Sequence, residues 1–453
     1  MKISFLDDEP EIFPMQYGGK ARTIIDLAKQ FTKTKDIKNV TVLSRTINIE
    51  RKKFIWNGIN FQKLEGYDII KKIIEASNNT DVLNVHASSF TFPYIKNKKA
   101  IIVNHLHDVI FATSDTGSHL DKAIGGQWDA IITPSIFATR VLKNVTSSWN
   151  DSDRKIFTIP RAVDAKTFYS ISPKIAYSKI KNFNSKIEIK PNTHPVIFFP
   201  HRVNANKGEI FLPKLCKLIS NKYPNSLILA TFDGDHHFNI PNLINLGWIP
   251  TEYMKYFYSI SDLTISMSLL PESFSQVCLE SVSCDTPVLC FKFGNLSDLS
   301  EKFPAIISCE PNAKKIFSGI VYILENPKKI KENLAVSKKI LKKEYNIEKI
   351  SQIYISVYKN VIQTKNPEKI ENNNVYVKKQ NTEFFASPLM ADYGSFVYLS
   401  EDGMLQKFKL SKQEQKVLSL CREAKTLNQI KTGSGQLKKI LNKLVKIKLI
   451  IKG

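Results

Sequence analysis

LTISMSLLPESFSQVCLESVSCDTPVLCF, residues 263–291, reads as strand, loop, helix, tight turn and strand. LTISMS (263–268) and PVLCF (287–291) are short, strand-like runs. SQVCLESVSC (275–284) carries apolar residues at helical spacing. Two buried strands joined through a helix must run parallel, because a crossover returns the chain to the same end of the sheet. The same alternation extends on both sides. Upstream lie the strand PVIFFP (195–200), the helix EIFLPKLCKLISNKY (209–223) and the strand SLILATF (226–232). Downstream lies AIIS (305–308), followed by the lysine-rich stretch 313–361, which reads as closing helices.

The first third repeats the pattern. KISFL (2–6), VTVLSR (40–45), DVLNVH (81–86), AIIVNHLH (100–107) and AIITPS (130–135) are strand-like, and GKARTIIDLAKQFTK (19–33) is an amphipathic helix. The predicted fold class is α/β, with two facing doubly wound Rossmann-like domains whose ligands sit at the carboxyl ends of the strands. The predicted boundaries are 1–165 for an acceptor-side domain, 190–345 for a donor-binding domain and 346–363 for a closing helix. The polar stretch 364–382, TKNPEKIENNNVYVKKQNT, has linker composition. Residues 383–453 read as a small α+β winged-helix-like accessory domain. It contains a hairpin (395–411), a helix (412–424), a short helix TLNQI (426–430) and a helix ending in a strand (434–453).

Composition narrows the partners. The chain has 453 residues, with 43% hydrophobic residues and no apolar run near the roughly 18 residues needed to cross a bilayer. MKISFLDDEPE lacks the basic start and long apolar core of a signal peptide, so a cytoplasmic location is expected, with peripheral placement on a membrane surface left open. The six cysteines form no CxxC pair and read as buried, reduced thiols. A formal net charge of +23 fits either an anionic partner or a generally lysine-rich composition. Residues 365–453 hold 17 basic and 8 acidic residues, and the last 23 residues hold seven lysines and no acid, a pattern suited to a phosphate backbone.

The chemistry concentrates in PESFSQVCLE. Glu272 and Glu280 stand eight residues apart, about two helical turns, so both carboxylates are expected on one side. A carboxylate accepts hydrogen bonds from vicinal hydroxyls, and the helix start after Glu272 offers free N–H groups to a phosphate. FDGDHHF (232–238) also holds two acids and two histidines, a pattern that can bind a divalent ion.

These segments resemble family-4 retaining glycosyltransferases, whose Glu-x7-Glu motif precedes a small-residue turn, Thr-Pro-Val and a strand. In the family's order, YGGKAR (17–22), TPSIFATRVL (133–142), IPRAVDAKTF (159–168), FPHRVNANKG (199–208) and LGWIPTEYMKYFYSISDLTISMS (246–268) resemble further stretches, so the likeness spans about 1–360. The resemblance implies a retaining hexosyl- or related glycosyltransferase with the GT-B fold. It implies transfer from a nucleotide-diphosphate sugar, as co-substrate, to an acceptor hydroxyl, with no cofactor and no metal.

It also implies roles. Arg202 and Lys207 match the cations on the donor's diphosphate, Glu272 the acid on the transferred sugar and Glu280 the acid on the ribose. Gly18 and Gly19 match the loop that approaches the phosphates. His107 matches a histidine near the sugar, with His105 as its competitor. Ile249, Ser273, Phe274 and Ser275 complete the implied donor site. This chain departs from the pattern in having Ser273 and Ser275 for two glycines, Arg161-Ala162 for Asn-Gly and His201 for the glycine before Arg202. The acceptor stays open between DNA carrying a hydroxylated base, a peptide or protein, and a glycolipid or glycan. For the first two, the accessory domain would hold the acceptor, and its linker predicts that it folds apart from the rest. The accessory domain also resembles the small peptide-binding domains of ribosomal-peptide maturation. A non-catalytic binding protein on the same scaffold is the further alternative, and the retained Arg202, Lys207, Glu272 and Glu280 speak against it.

Overall fold

A computed structural model of the chain describes residues 1–7, 18–44, 53–64, 69–86, 99–107, 129–145, 155–185, 187–190, 192–201, 205–231, 240–365, 383–387, 390–393, 396–401, 404–422, 425–426, 429–430 and 435–452. The chain divides into two compact units, 1–162 with 347–383 and 163–346 with 384–452.

The first unit is built on strands β1 (Lys2–Asp7), β2 (Asn39–Ser44), β3 (Lys53–Trp56), β4 (Ile59–Lys63), β5 (Val82–Val85), β6 (Ile101–His105), β7 (Ala130–Thr133) and β8 (Lys155–Thr158). They form one sheet in the order β3-β4-β2-β1-β5-β6-β7-β8. Every neighbouring pair is parallel except β3–β4. The inner strands are mostly apolar because both faces are covered. Ile3, Phe5, Val42 and Val103 pack with Phe31, Tyr354 and Tyr358. Leu6, Leu43, Leu83 and Ile102 pack with Leu142 in a separate cluster. The closing helix, Ile347–Thr364, belongs to this unit: Asn84 Nδ2 donates to Tyr358 Oη at 2.6 Å, and both groups are buried.

The second unit holds β9 (Val196–Phe199), β10 (Leu227–Ala230), β11 (Leu243–Asn245), β12 (Leu263–Ser266), β13 (Val288–Cys290) and β14 (Ile306–Ser308), all parallel, in the order β11-β10-β9-β12-β13-β14. Strand order reverses direction between β1 and β5 in the first sheet and between β9 and β12 in the second. At such reversals the connecting helices leave to opposite faces and open a crevice at the carboxyl ends of the strands. Residues 263–291 fold as read, with the helix at Gln276–Ser283 and a turn in which Asp285 takes a positive φ of 63°. The expected helix 209–223 begins with a 3₁₀ turn, Glu209–Phe211, and becomes α-helical at Leu212–Lys222.

The accessory segment is richer in strands than expected. β15 (Glu383–Ala386), β19 (Lys425–Thr426) and β20 (Ile450–Lys452) form one small sheet in the order β19-β15-β20. β16 (Met390–Tyr393), β17 (Phe396–Glu401) and β18 (Met404–Lys409) form an antiparallel second. Of TLNQI, Thr426 closes strand β19 and Gln429 and Ile430 lie in a turn; the remaining two residues lie outside the described ones. Helices run from Lys412–Leu420 and Gly435–Lys446. Strand alternation gives β17 two different neighbours. Val397 and Leu399 pack with Val417, Leu441, Leu444 and Leu449. Tyr398, with Ala391, joins the core of the second α/β sheet. The accessory segment is therefore fused to the second unit, and the expectation of a separately folded, tethered domain is corrected.

Candidate functional site

The crevice end of β9 and β12 carries the first cluster. β9 runs into His201, which is buried, and its Nε2 lies 3.0 Å from Ser266 Oγ at the end of β12. Burial, with the charge of Lys207, pushes the His201 imidazole down to about 3, so it is neutral near pH 7. Lys207 closes a short 3₁₀ turn, Ala205–Lys207, which Leu269 holds by donating N–H to Asn206 O at 2.7 Å. Its ammonium meets Glu272 Oε1 at 2.5 Å and Ser268 Oγ at 3.4 Å. Lys207 is 28% exposed and Glu272 17%, so water and ligand can reach the pair. Burial pushes the Glu272 carboxyl up, but the charge and hydrogen bond of Lys207, aided by His201 and Ser268, outweigh it. Glu272 stays below the ordinary carboxylate range.

The backbone of Glu272 is held as firmly as its side chain. It pairs with Gly294 in an isolated parallel bridge, and Asn295 donates N–H to Glu272 O at 2.7 Å. Gly294 has φ +64°, and a Cβ there would lie 2.6 Å from Glu272 N and O, so this approach requires glycine. Glu280 lies on the helix Gln276–Ser283, is 2% exposed and accepts from Tyr258 Oη at 3.0 Å. The helix begins four residues after Glu272, so Glu272 lies in the loop and Glu280 on the helix, as expected. They reach different neighbours, Lys207 for one and Tyr258 for the other. Ser273, Phe274 and Ser275 are buried, and Ser275 caps the helix by position. The Ile249 side chain lies in the core of the unit. Arg202 and FDGDHHF lie outside the described residues.

The crevice end of β1, β5 and β6 carries the second cluster, in the other unit. Lys20 Nζ pairs with Asp7 Oδ1 at 2.9 Å, and both are buried. Gly18 precedes the helix Gly19–Thr32 and accepts from Arg22 N–H through its carbonyl. His86 Nδ1 lies 2.7 Å from His107 Nε2, and Arg161 Nη2 lies 2.7 Å from His107 Nδ1. A guanidinium only donates, so His107 accepts at Nδ1 and carries its proton on Nε2. That proton goes to His86 Nδ1, which puts the His86 proton on Nε2. His105 is stacked between the rings of His86, 4.1 Å between centroids, and Tyr354, 5.3 Å. Burial, then the neighbouring cations, lowers all three imidazoles, His105 to about 3.

These three ring nitrogens lie within 4.8 Å of one another, close enough to consider a metal ion. The donor set argues for a hydrogen-bonded relay instead. The His86 and His105 rings are nearly parallel, 18° apart, so their in-plane lone pairs do not converge, and the Arg161 guanidinium repels a second cation. Of the two competing histidines, His105 is the interior one, and His107, half-buried, links Arg161 to the relay. The sequence reading passed over His86, Lys20 and Asp7, and it noted Arg161 and His201 only as departures. A strand-end position, the signal used for His107, was equally available for His86 in DVLNVH.

The six cysteines are free thiols, all buried except the half-buried Cys309, and burial pushes Cys216, Cys278 and Cys309 up to about 12. No helix among the described residues is long and apolar enough to cross a membrane.

Residues 180–343 match the family described as glycosyl transferases group 1. Among curated proteins, none matches the chain in sequence. Solved structures of similar fold include sucrose-phosphate synthase from Thermosynechococcus elongatus, with TM-score 0.65 and 16% identity, covering 81% of this chain and 100% of that one. Anabaena HepE in complex with UDP-glucose gives 0.63 and 16%, covering 80% and 100%. The trehalose-6-phosphate synthase OtsA gives 0.60 and 12%, covering 79% and 99%. The fold is thus the GT-B arrangement of two Rossmann-like domains, with a small, mostly antiparallel C-terminal region added.

Proposed function

We propose that this glycosyltransferase, so classed by its group 1 domain, moves a sugar from a nucleotide-diphosphate donor to an acceptor hydroxyl with retention at the anomeric carbon and without a metal. The observation that carries the reading is the part-exposed Lys207–Glu272 pair at the strand reversal of the matched domain. In this reading Lys207, with Arg202 five positions before it, neutralises the charge that grows on the leaving diphosphate. Glu272 accepts hydroxyls of the transferred sugar, and Glu280 accepts those of the ribose. The start of the helix Gln276–Ser283 and the hydroxyls of Ser273 and Ser275 serve the phosphates. By the resemblance, Gly18 and Gly19 belong to a phosphate loop, and His107, oriented by Arg161, to the sugar. The solved Anabaena relative binds UDP and UDP-glucose, which supports a uridine nucleotide as the first donor to try. The accessory segment is read as a winged-helix-like module.

The test is a donor screen that follows nucleoside-diphosphate release, with proton NMR of the product's anomeric centre. Retained configuration in the presence of EDTA is expected. An inverted product, or activity lost to chelation and restored by manganese, would contradict the reading.

A further inference from the structure

The accessory segment touches the second α/β sheet where the loop beside Glu272 leaves it. Tyr393, at the end of β16, accepts from Lys292 N–H at 3.0 Å and donates to Cys309 O at 2.5 Å. Lys292 lies just beyond β13 and Cys309 just beyond β14, and Cys309 N–H donates to Cys290 O at 2.9 Å. One phenol therefore bridges the ends of two adjacent strands. Burial holds this phenol well above its ordinary range, so it remains a neutral group that can both accept and donate. A second contact fixes it from the side: Tyr398 stands edge-on to Tyr393 at 5.7 Å and donates to Glu310 Oε2 at 2.6 Å. Lys407 lies 3.4 Å from the same carboxylate oxygen.

Two residues beyond Lys292, Gly294 forms its bridge with Glu272, and Asn295 donates to Glu272 O. A continuous set of contacts thus runs from Tyr393 through the backbone 292–295 to the backbone of Glu272, whose side chain holds Lys207. We infer that Tyr393 is a positioning residue for Glu272, so that the accessory segment completes the donor site and is not a tether for acceptors. The inference rests on the donor-site reading for Glu272. Its physical basis is that reacting groups must be held to a fraction of an ångström, and a misplacement of about 1 Å far from the chemistry can cost up to about 10²-fold.

Tyr393→Phe in the full chain removes one hydroxyl and keeps the ring. With UDP-glucose as donor, kcat for UDP release should fall about tenfold with KM changed less than about twofold, because a transition-state contact is loosened while ground-state binding remains. Hydrogen exchange should speed up at the amides of both Lys292 and Asn295. Tyr398→Phe, which loosens the same module without touching the 292–295 loop, should leave kcat within about twofold of wild type and Asn295 protected. A kcat unchanged in Tyr393→Phe, faster exchange at Lys292 alone, or an equal fall in kcat for Tyr398→Phe would overturn the inference. If the wild-type chain turned over no nucleotide sugar, the donor-site reading would fail by itself. Exchange at Asn295 would then decide the positioning role alone.

Discussion

The two strand reversals carry similar residue types in opposite states. In the first unit, Lys20 is spent on Asp7, and Arg161 is spent on a chain of neutral histidines. Nearly every member is buried, with His107 the half-buried exception. In the second unit, Lys207 and Glu272 form a pair that solvent reaches, beside a neutral His201 and the serines at 266 and 268. A buried, hydrogen-bonded network fixes geometry, because breaking one member strands the others. A part-exposed ion pair is weak in itself and can exchange partners at small cost. On the proposed function the first cluster is therefore a frame that orients His107, and the second is the one that accepts a charged ligand.

The largest expected effect lies in the second unit. Lys207→Ala should lower turnover by about 10²-fold or more, the scale of losing one charge-stabilising contact in the transition state, while the melting temperature moves little. Steady-state kinetics beside calorimetry would show this. A large loss of stability with normal turnover would reverse the roles given to the two clusters.

Arg161→Leu should act on stability as well. It leaves His107 Nδ1 without its donor and should destabilise the fold by about 1–3 kcal/mol in denaturant titration. The imidazole of His107 should titrate higher than in the parent by NMR, because the cation that disfavours its protonation is gone. An unchanged His107 titration would remove Arg161 from the relay.

Glu280 separates the two cases further, since it is a buried acid in the second unit. Tyr258→Phe removes its 3.0 Å donor and should weaken donor binding about fivefold, by isothermal titration with UDP, in line with one lost hydrogen bond. The smallest effect concerns pH. The Glu272 carboxyl lies below its ordinary range, so its charge is present above the ordinary value and is lost only as pH falls through the lowered one. The acid limb of kcat/KM should therefore lie below about 4.3, the ordinary glutamate value, and Lys207→Ala should move it upward. A limb above that value would assign it to another group.

Much of this was legible because parallel strands covered on both faces must be mostly apolar. Residues 2–6, 195–200 and 263–291 announced the two sheets, and the resemblance pointed to Glu272 and Lys207, which the structure brings together. The hairpin of β3 and β4 was overlooked although its turn, Asn57-Gly58, is a strong short-range signal. TLNQI misled because its first residue, Thr426, closes a two-residue strand that pairs with one far away in sequence. The relay was illegible for a different reason. Arg161, His107 and His86 are separated by 54 and 21 residues, and only the strand order brings them together. The docking of Tyr393 on Lys292, 101 residues apart, is likewise tertiary, and the polar stretch between 364 and 382 had argued for separation.

The most direct test is amide hydrogen exchange of the full chain with and without UDP. Binding at the second reversal predicts new protection at 205–208 and 268–280, abolished in Lys207→Ala, with little change at His86 and His105. Protection that left these segments untouched, or that persisted in Lys207→Ala, would contradict a donor site built on Lys207 and Glu272.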